Sequence, residues 1–217
     1  YYPRQYTYFE KYYPKSELRG MHGKRVREFI QDNQGYLWIG TEDGGLNKFD
    51  PESKEFIFYP PSASVTNIHG LCMDEDNLWV GTFAKGLKVI NTQTGKIIKT
   101  YSKGNTPNSL KDNNIFAICK TSLGDIFLGT MFGLHRYHRN TDDFEEIEEL
   151  KGCFVYDIKE DSYGNLWLAT YAHGVFLYDI VEKKWKNYQH NENNNLSLPY
   201  NKVLSIFEDA TRRIWIT

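Results

Sequence analysis

The sequence predicts an all-β fold, a β-propeller of four-stranded antiparallel blades with four to five blades present, and three observations carry that prediction. A short phrase recurs. Residues 32–41 read DNQGYLWIGT, and versions return at 74–82 (DEDNLWVGT), 121–130 (TSLGDIFLGT) and 161–170 (DSYGNLWLAT), with a clipped fifth at 209–217 (DATRRIWIT). The aromatic anchors Trp38, Trp79, Phe127, Trp167 and Trp215 stand 41, 48, 40 and 48 residues apart. Each period also divides into four strand-sized runs separated by Asp, Asn and Gly turns. A period of roughly 40 to 50 residues built from strands is the mark of a propeller blade.

The first repeat shows the plan. Residues 26–31 (VREFIQ) form a first strand with Val26, Phe29 and Ile30 apolar. Residues 32–35 (DNQG) turn the chain, because Asp and Asn bond their own backbone and Gly supplies positive φ. Residues 36–41 (YLWIGT) are a second strand, with Gly40 marking a close approach of another backbone or a ring. Residues 42–45 turn again, 46–50 (LNKFD) form the third strand, 50–54 a polar turn, and 55–59 (EFIFY) the fourth, outermost strand. Later third strands are predicted at 86–90, 133–137 and 174–178, and fourth strands at 96–101, 144–148 and 184–188.

These elements divide the chain into blades at 26–66, 67–114, 115–154 and 155–202, with a partial blade at 203–217. Residues 1–25 read as an outer strand (6–12, YTYFEKY) and a lead-in. The chain starts at Tyr1 and stops inside a repeat, which reads as an incomplete part of a larger propeller with open edges. Open edges favour pairing with a second copy, so a homo-oligomer is expected. Two connections, 102–114 and 189–202, are long and end alike, with SLKDNNI at 109–115 and SLPYNKV at 197–203. That shared ending predicts a defined loop conformation, whereas the Asn-rich tip at 191–195 reads as mobile low complexity.

Composition narrows the partners. The net charge of −2, from 26 basic and 28 acidic residues with no basic stripe, argues against nucleic acid. No apolar run reaches the length of a membrane span, and no signal peptide opens the chain. Cys72, Cys119 and Cys153 read as small buried hydrophobes rather than a disulfide framework. No cofactor is expected. No phosphate loop or paired-cysteine motif is present, and His135 and His138 lie three apart on a strand, which points them to opposite faces. The acidic run 145–149 reads as an exposed outer strand.

Function is expected in loops. In an alternating blade, the fourth-to-first and second-to-third connections share one face. Here that face carries the variable segments, and the opposite face carries uniform Asp-Gly turns. Binding residues belong on variable loops held by a rigid scaffold. The candidate ligand-binding residues are therefore Phe83, Phe132, Tyr171 and His173 in the second-to-third loops, with Arg27, His69 and Tyr156 at the starts of first strands. Phe116 shares that position. Aromatic rings stack on the apolar face of a sugar, while His and charged groups meet its hydroxyls. The same rings could instead plug the gaps between blades, and the two histidines could be ordinary surface polar groups. The sequence leaves both alternatives open.

Residues 26–50 resemble the two-component regulator propeller repeat nearly position for position, with the pattern V-x-x-I-x-x-D-x-x-G-x-L-W-I-G-T-x-x-G-G-L-x-x-F/Y-D. The resemblance runs through nearly the whole chain from Val26, and the Ser-Leu lead-ins at 109–115 and 197–203 are also typical of that family. It implies a periplasmic sensor of a bacterial hybrid two-component system that binds glycan-derived oligosaccharides and controls genes for glycan use. Full sensors of this kind resemble two tandem propellers followed by a β-sandwich, a membrane helix and a histidine kinase. This chain carries no kinase, sandwich or membrane-helix motif. The implied role here is ligand sensing without catalysis, with the membrane reached only through other parts of the parent. A protein-interaction scaffold is the alternative, and a lyase is a third reading, because some similar propellers are lyases.

Overall fold

The computed structural model describes residue 12 and residues 20–59 and 65–217. The first blade holds β1 (Val26–Gln31), β2 (Leu37–Thr41), β3 (Gly45–Phe49) and β4 (Phe56–Phe58). The second holds β5 (Ile68–Asp74), β6 (Asn77–Thr82), β7 (Leu87–Asn91) and β8 (Lys96–Tyr101). β9 (Ile115–Lys120), β10 (Ile126–Thr130), β11 (Gly133–His138) and β12 (Asp143–Ile147) make the third. β13 (Val155–Glu160), β14 (Leu166–Thr170), β15 (Val175–Asp179) and β16 (Lys184–Tyr188) make the fourth, and β17 (Ile206–Glu208) pairs with β18 (Ile214–Ile216) in a two-stranded sheet. Every pairing is antiparallel between sequence neighbours, so each sheet is a meander.

The first strands of successive sheets contact one another: β1 meets β5, β5 meets β9, β9 meets β13, and β13 meets β17. They therefore line the axis, and the fourth strands lie outermost. The core is not one body. Each main apolar cluster sits between neighbouring sheets, joining Trp38 and Leu46 to Ile68 and Leu71, Trp79 and Val89 to Ile115 and Leu128, and Phe127 and Leu134 to Val155 and Leu168. This is face-to-face sheet packing repeated around an axis. The glycine near the end of the second strand permits it. A Cβ on Gly40 would meet Ile68 Cγ2 at 2.5 Å, and one on Gly81 would meet Ile115 Cγ2 at 2.8 Å. The close neighbour at Gly40 is thus a branched aliphatic chain, neither a ring nor a backbone.

Strand limits differ from the sequence reading by a residue at most ends. One difference has a local cause. The fourth strand expected at 144–148 runs Asp143–Ile147, and Glu148–Leu150 forms a single 3-10 turn that buries Leu150. The acidic run is therefore split between an edge strand and a helical turn. The outer strand expected at 6–12 lies outside the described residues except for Tyr12, whose ring packs on Phe49 and Phe56 at 4.9 and 5.6 Å.

The two long connections share their conformation, as the Ser-Leu ending predicts. Asn113 Oδ1 accepts from Lys103 N and Asn201 Oδ1 from His190 N, while the carbonyls of Asn113 and Asn201 accept from Gly86 N and Gly174 N. The Asn-rich tip is held by local turns. Asn191 Oδ1 accepts from Asn193 N, Asn194 Oδ1 from Leu196 N, and Ser197 Oγ from Asn191 N. It is structured by its own asparagine side chains.

Candidate functional site

All four complete blades carry a β-bulge at the same place. In β1 the register steps from Val26 opposite Thr41 to Glu28 opposite Gly40, so Arg27 is the extra residue. The same step makes His69 extra in β5, Phe116 in β9 and Tyr156 in β13. At the fifth sheet, Leu204 N and Ser205 N both donate to Thr217 O, which repeats the device with Leu204. A bulge re-aims a side chain without lengthening the strand pair. Here it turns one residue per blade toward the axis, where Arg27, His69, Phe116, Tyr156 and Leu204 line a cavity of about 610 Å³.

From this mouth an arc of rings runs across three blades. His69 lies 4.6 Å from Phe116 and 6.3 Å from Phe83, measured between ring centroids. Phe116 lies 4.5 Å from Phe154 and 5.6 Å from Tyr156. Phe154 stacks on Tyr171 at 5.5 Å, and Lys202 Nζ stands 4.7 Å over the Tyr171 ring. Tyr171 thus already carries a ring and an ammonium, although 43% of it is exposed. Edge and offset contacts of this kind hold rings in fixed positions.

The sequence-predicted residues separate into two groups. His69, Phe83, Tyr156 and Tyr171 join the arc, and Arg27 closes the mouth beside it. Phe132 and His173 do not join: both are exposed, and no ring contact links them to the arc among the described residues. His173 contributes backbone instead, its N–H donating to Thr170 Oγ1 and its carbonyl accepting from Asn187 and Gln189. Phe154 is the central ring that the sequence reading missed. It ends a short fourth-to-first connection and has no counterpart in the repeated phrase, so nothing in the periodicity singles it out.

The charges around the mouth are arranged in pairs. Arg27 donates to Glu42 Oε2 through Nη2 at 2.7 Å and Nε at 3.1 Å. The Arg27 bond holds the Glu42 carboxyl below its usual range. His69 bonds Asn67 Oδ1 at 3.0 Å, and burial, aided by the Arg27 charge, lowers its pKa, which favours the neutral ring. Lys159 and Lys120 also line the cavity, Lys159 pairing with Asp157 at 3.7 Å and Lys120 with Asp74 at 2.8 Å. Asp157 also accepts from Ile206 N at 2.9 Å, tying the fourth sheet to the fifth. Cys72 and Cys119 line the same cavity as free thiols, and burial pushes them up to about 12 and about 11. They act as small apolar groups rather than nucleophiles. His135 and His138 have separate partners: His135 is fully buried and accepts from Lys111 N at 3.2 Å, while His138 meets Glu145 at 3.3 Å.

Blades around an axis, each presenting one bulged residue to a shared mouth, define a repeat propeller. The profile of the two component regulator propeller family matches at residues 20–43 and 149–172, the first and fourth copies of the phrase. Those two stretches are thus matched as two-component regulator propeller repeats. The chain is similar to "Histidine kinase P4" of Formosa agariphila, with 30% identity over 91% of this chain and 16% of the relative. The chain thus spans about a sixth of that relative's length. The extracellular domain of a hybrid two component system from B. thetaiotaomicron superposes with a TM-score of 0.80 at 22% identity, covering 95% of this chain and 27% of that one. Virginiamycin B lyase from Staphylococcus aureus shares the fold as well, with a TM-score of 0.70 at 16% identity over 95% of this chain and 66% of that one. No helix among the described residues is long and apolar enough to cross a membrane.

Proposed function

We propose that this propeller is the extracytoplasmic, periplasmic ligand-sensing part of a hybrid two-component regulator, and that its ligand is a glycan-derived oligosaccharide whose binding controls genes for glycan use. One observation carries the reading: the arc Phe83–His69–Phe116–Phe154–Tyr171 crosses three blades on the face that holds the variable loops. A ring that only plugged a gap would be buried, yet Phe83 and Tyr171 are 40% and 43% exposed. An exposed row of rings with hydroxyl-binding groups beside it suits a saccharide's alternating apolar and polar faces. The similarity to the extracellular domain of a hybrid two component system and to a histidine kinase supports the signalling context.

The role proposed is binding without catalysis. The likeness to virginiamycin B lyase is one of fold alone, and the two histidines on this face, His69 and His173, stand on different blades. The test is a glycan array followed by calorimetry on the hit, with wild type compared to Phe83→Ala and Tyr171→Ala. Each substitution is expected to weaken binding several-fold, because a stacked ring contributes on the order of 1 kcal/mol beyond its area. An array without a single carbohydrate hit would remove the reading.

A further inference from the structure

The bulged residues and the charges beneath them say more about the ligand, on the reading that this face binds a glycan. An anionic sugar needs a cation free to receive its carboxylate or sulfate. Each of the three cations that line the axial cavity already holds a carboxylate: Arg27 with Glu42, Lys120 with Asp74, and Lys159 with Asp157. Glu28 also lines the cavity and makes no ion pair among the described residues. An incoming anion would have to break a pair and sit beside Glu28 and Asp157. Like charges placed together in a partly desolvated site repel strongly.

A neutral sugar meets none of these obstacles. Its hydroxyls can donate to Glu28 and Asp157 and exchange bonds with the Tyr156 hydroxyl and the His69 ring. Its apolar face can lie on Phe116, which is half-buried at the axis and held by four neighbouring rings. The bulge gives each blade one such reading position, and the residue there varies in kind: a cation, an imidazole, two aromatics and an aliphatic. The backbone step is constant and the side chain is free to vary, which is the arrangement of a specificity position.

We propose that the axial mouth is the primary saccharide subsite, that it takes an uncharged sugar residue, and that the bulge positions Arg27, His69, Phe116 and Tyr156 determine which one. The outer rings Phe83 and Tyr171 would then contact further residues of the same oligosaccharide.

The experiment is calorimetry on the full chain. Short neutral gluco-, galacto-, manno- and xylo-oligosaccharides are compared with oligogalacturonates, alginate oligosaccharides and sulfated oligosaccharides. The expected result is binding of a neutral saccharide in preference to every acidic one. Tyr156→Ala and Phe116→Leu should each weaken it about tenfold, the combined loss of stacking and buried area. Phe116→Leu keeps the fold testable, because Leu204 occupies the same bulge position in the fifth sheet. Preferential binding of an acidic saccharide overturns the proposal. So does a neutral ligand that ignores Phe116 and Tyr156 but is weakened by Phe83→Ala or Tyr171→Ala, a result that leaves the glycan-sensing reading standing. Absence of binding by every saccharide overturns both.

Discussion

The indole N–H of Trp38 donates to Asp32 Oδ2 at 2.8 Å inside the first blade, and the turn Asp six residues before the anchor Trp makes the same bond twice more. Trp167 reaches Asp161 at 2.8 Å and Trp215 reaches Asp209 at 2.9 Å. The recurring phrase is therefore a hydrogen-bonded unit as well as a packing unit. Asp32 Oδ1 also accepts from Gln34 N and Tyr36 N, so one carboxylate fixes both the turn and the ring. In the third blade Thr121 replaces Asp and Phe127 replaces Trp, and both ends of the bond are gone together. The second blade has a turn one residue shorter. Asp74 there is taken by Arg139 and Lys120, and the Trp79 indole nitrogen is buried without a partner.

That contrast sets the first prediction. Asp32→Ala should lower stability by about 1.5–3 kcal/mol, the cost of losing a bond to a charged group and stranding a buried donor. Trp79→Phe should cost clearly less than Trp38→Phe, because the Trp79 N–H bonds to nothing while the Trp38 N–H satisfies a carboxylate. Denaturant unfolding of the three variants decides it. Equal losses for the two tryptophans would show that the bond to Asp32 contributes nothing.

His135 makes stability depend on pH. Its Nε2 accepts from Lys111 N, which places the proton of the neutral ring on Nδ1, and Nδ1 is buried without a partner. Burial lowers its pKa to about 4, with the Asp112 charge opposing and the Lys111 charge assisting. The unfolded chain binds this proton near pH 6.5 and the folded one only near 4. Between those values the unfolded state holds more protons, so stability falls as pH drops from about 6.5 towards 4 and is fully present above 6.5. The contribution is on the order of 1–3 kcal/mol. His135→Asn places at this site the residue that the first blade uses, where Asn47 bonds the backbone of His22. Its unfolding midpoint should change less with pH over that window than the wild type's. Parallel pH profiles for the two proteins would refute the assignment.

The repeated phrase made the fold legible, because its Trp, Gly and Thr are the residues that bury against the next blade and close the loop. Thr41, Thr82, Thr130 and Thr170 are all fully buried, and each donates its hydroxyl to the carbonyl of the glycine at the start of the following strand or just before it. Part of the candidate site's geometry was legible too. The face followed from strand alternation, and it holds His69, Phe83, Tyr156 and Tyr171. The bulges were not legible, since an extra residue in one strand leaves the apolar pattern on either side unbroken. Phe154 was hidden for a related reason: its role depends on the neighbouring blade, which no single repeat records. The Arg139–Asp74 pair spans the second and third blades in the same way.

The glycines of the second strands should tolerate nothing larger. A Cβ on Gly81 would lie 2.8 Å from Ile115 Cγ2 and 3.1 Å from the Ile115 carbonyl. Gly81→Ala should therefore cost about 1–3 kcal/mol through overpacking. Ile115→Val should not recover that loss, since valine keeps the γ carbons that make the contact, and a Cβ on Gly129 would lie just as close, 2.8 Å, to Val155 Cγ1. A neutral Gly81→Ala variant would mean that the sheets separate more easily than this contact implies.

The two outer faces of the array set the last prediction. Val26 and Phe29 are 47% and 65% exposed, whereas their counterparts Ile68 and Leu71 are 0% and 5% exposed against the preceding sheet. At the other end Trp215 is 53% exposed, while Trp38 in the same place is fully buried, and Phe207 beside it is 62% exposed. Both faces thus present the side chains that elsewhere join one sheet to the next, and the β17–β18 pair presents an open strand edge. Apolar patches with unpaired edges associate. The 217-residue chain is expected to self-associate, with a mass in light scattering that rises with concentration. Phe29→Glu should shift that curve towards the monomer by placing a charge at the centre of one face, and Phe207→Glu should do so at the other. The internal blades touch neither position, so both variants should keep wild-type unfolding curves. A constant monomer mass across the accessible concentration range would show that these faces do not pair with one another.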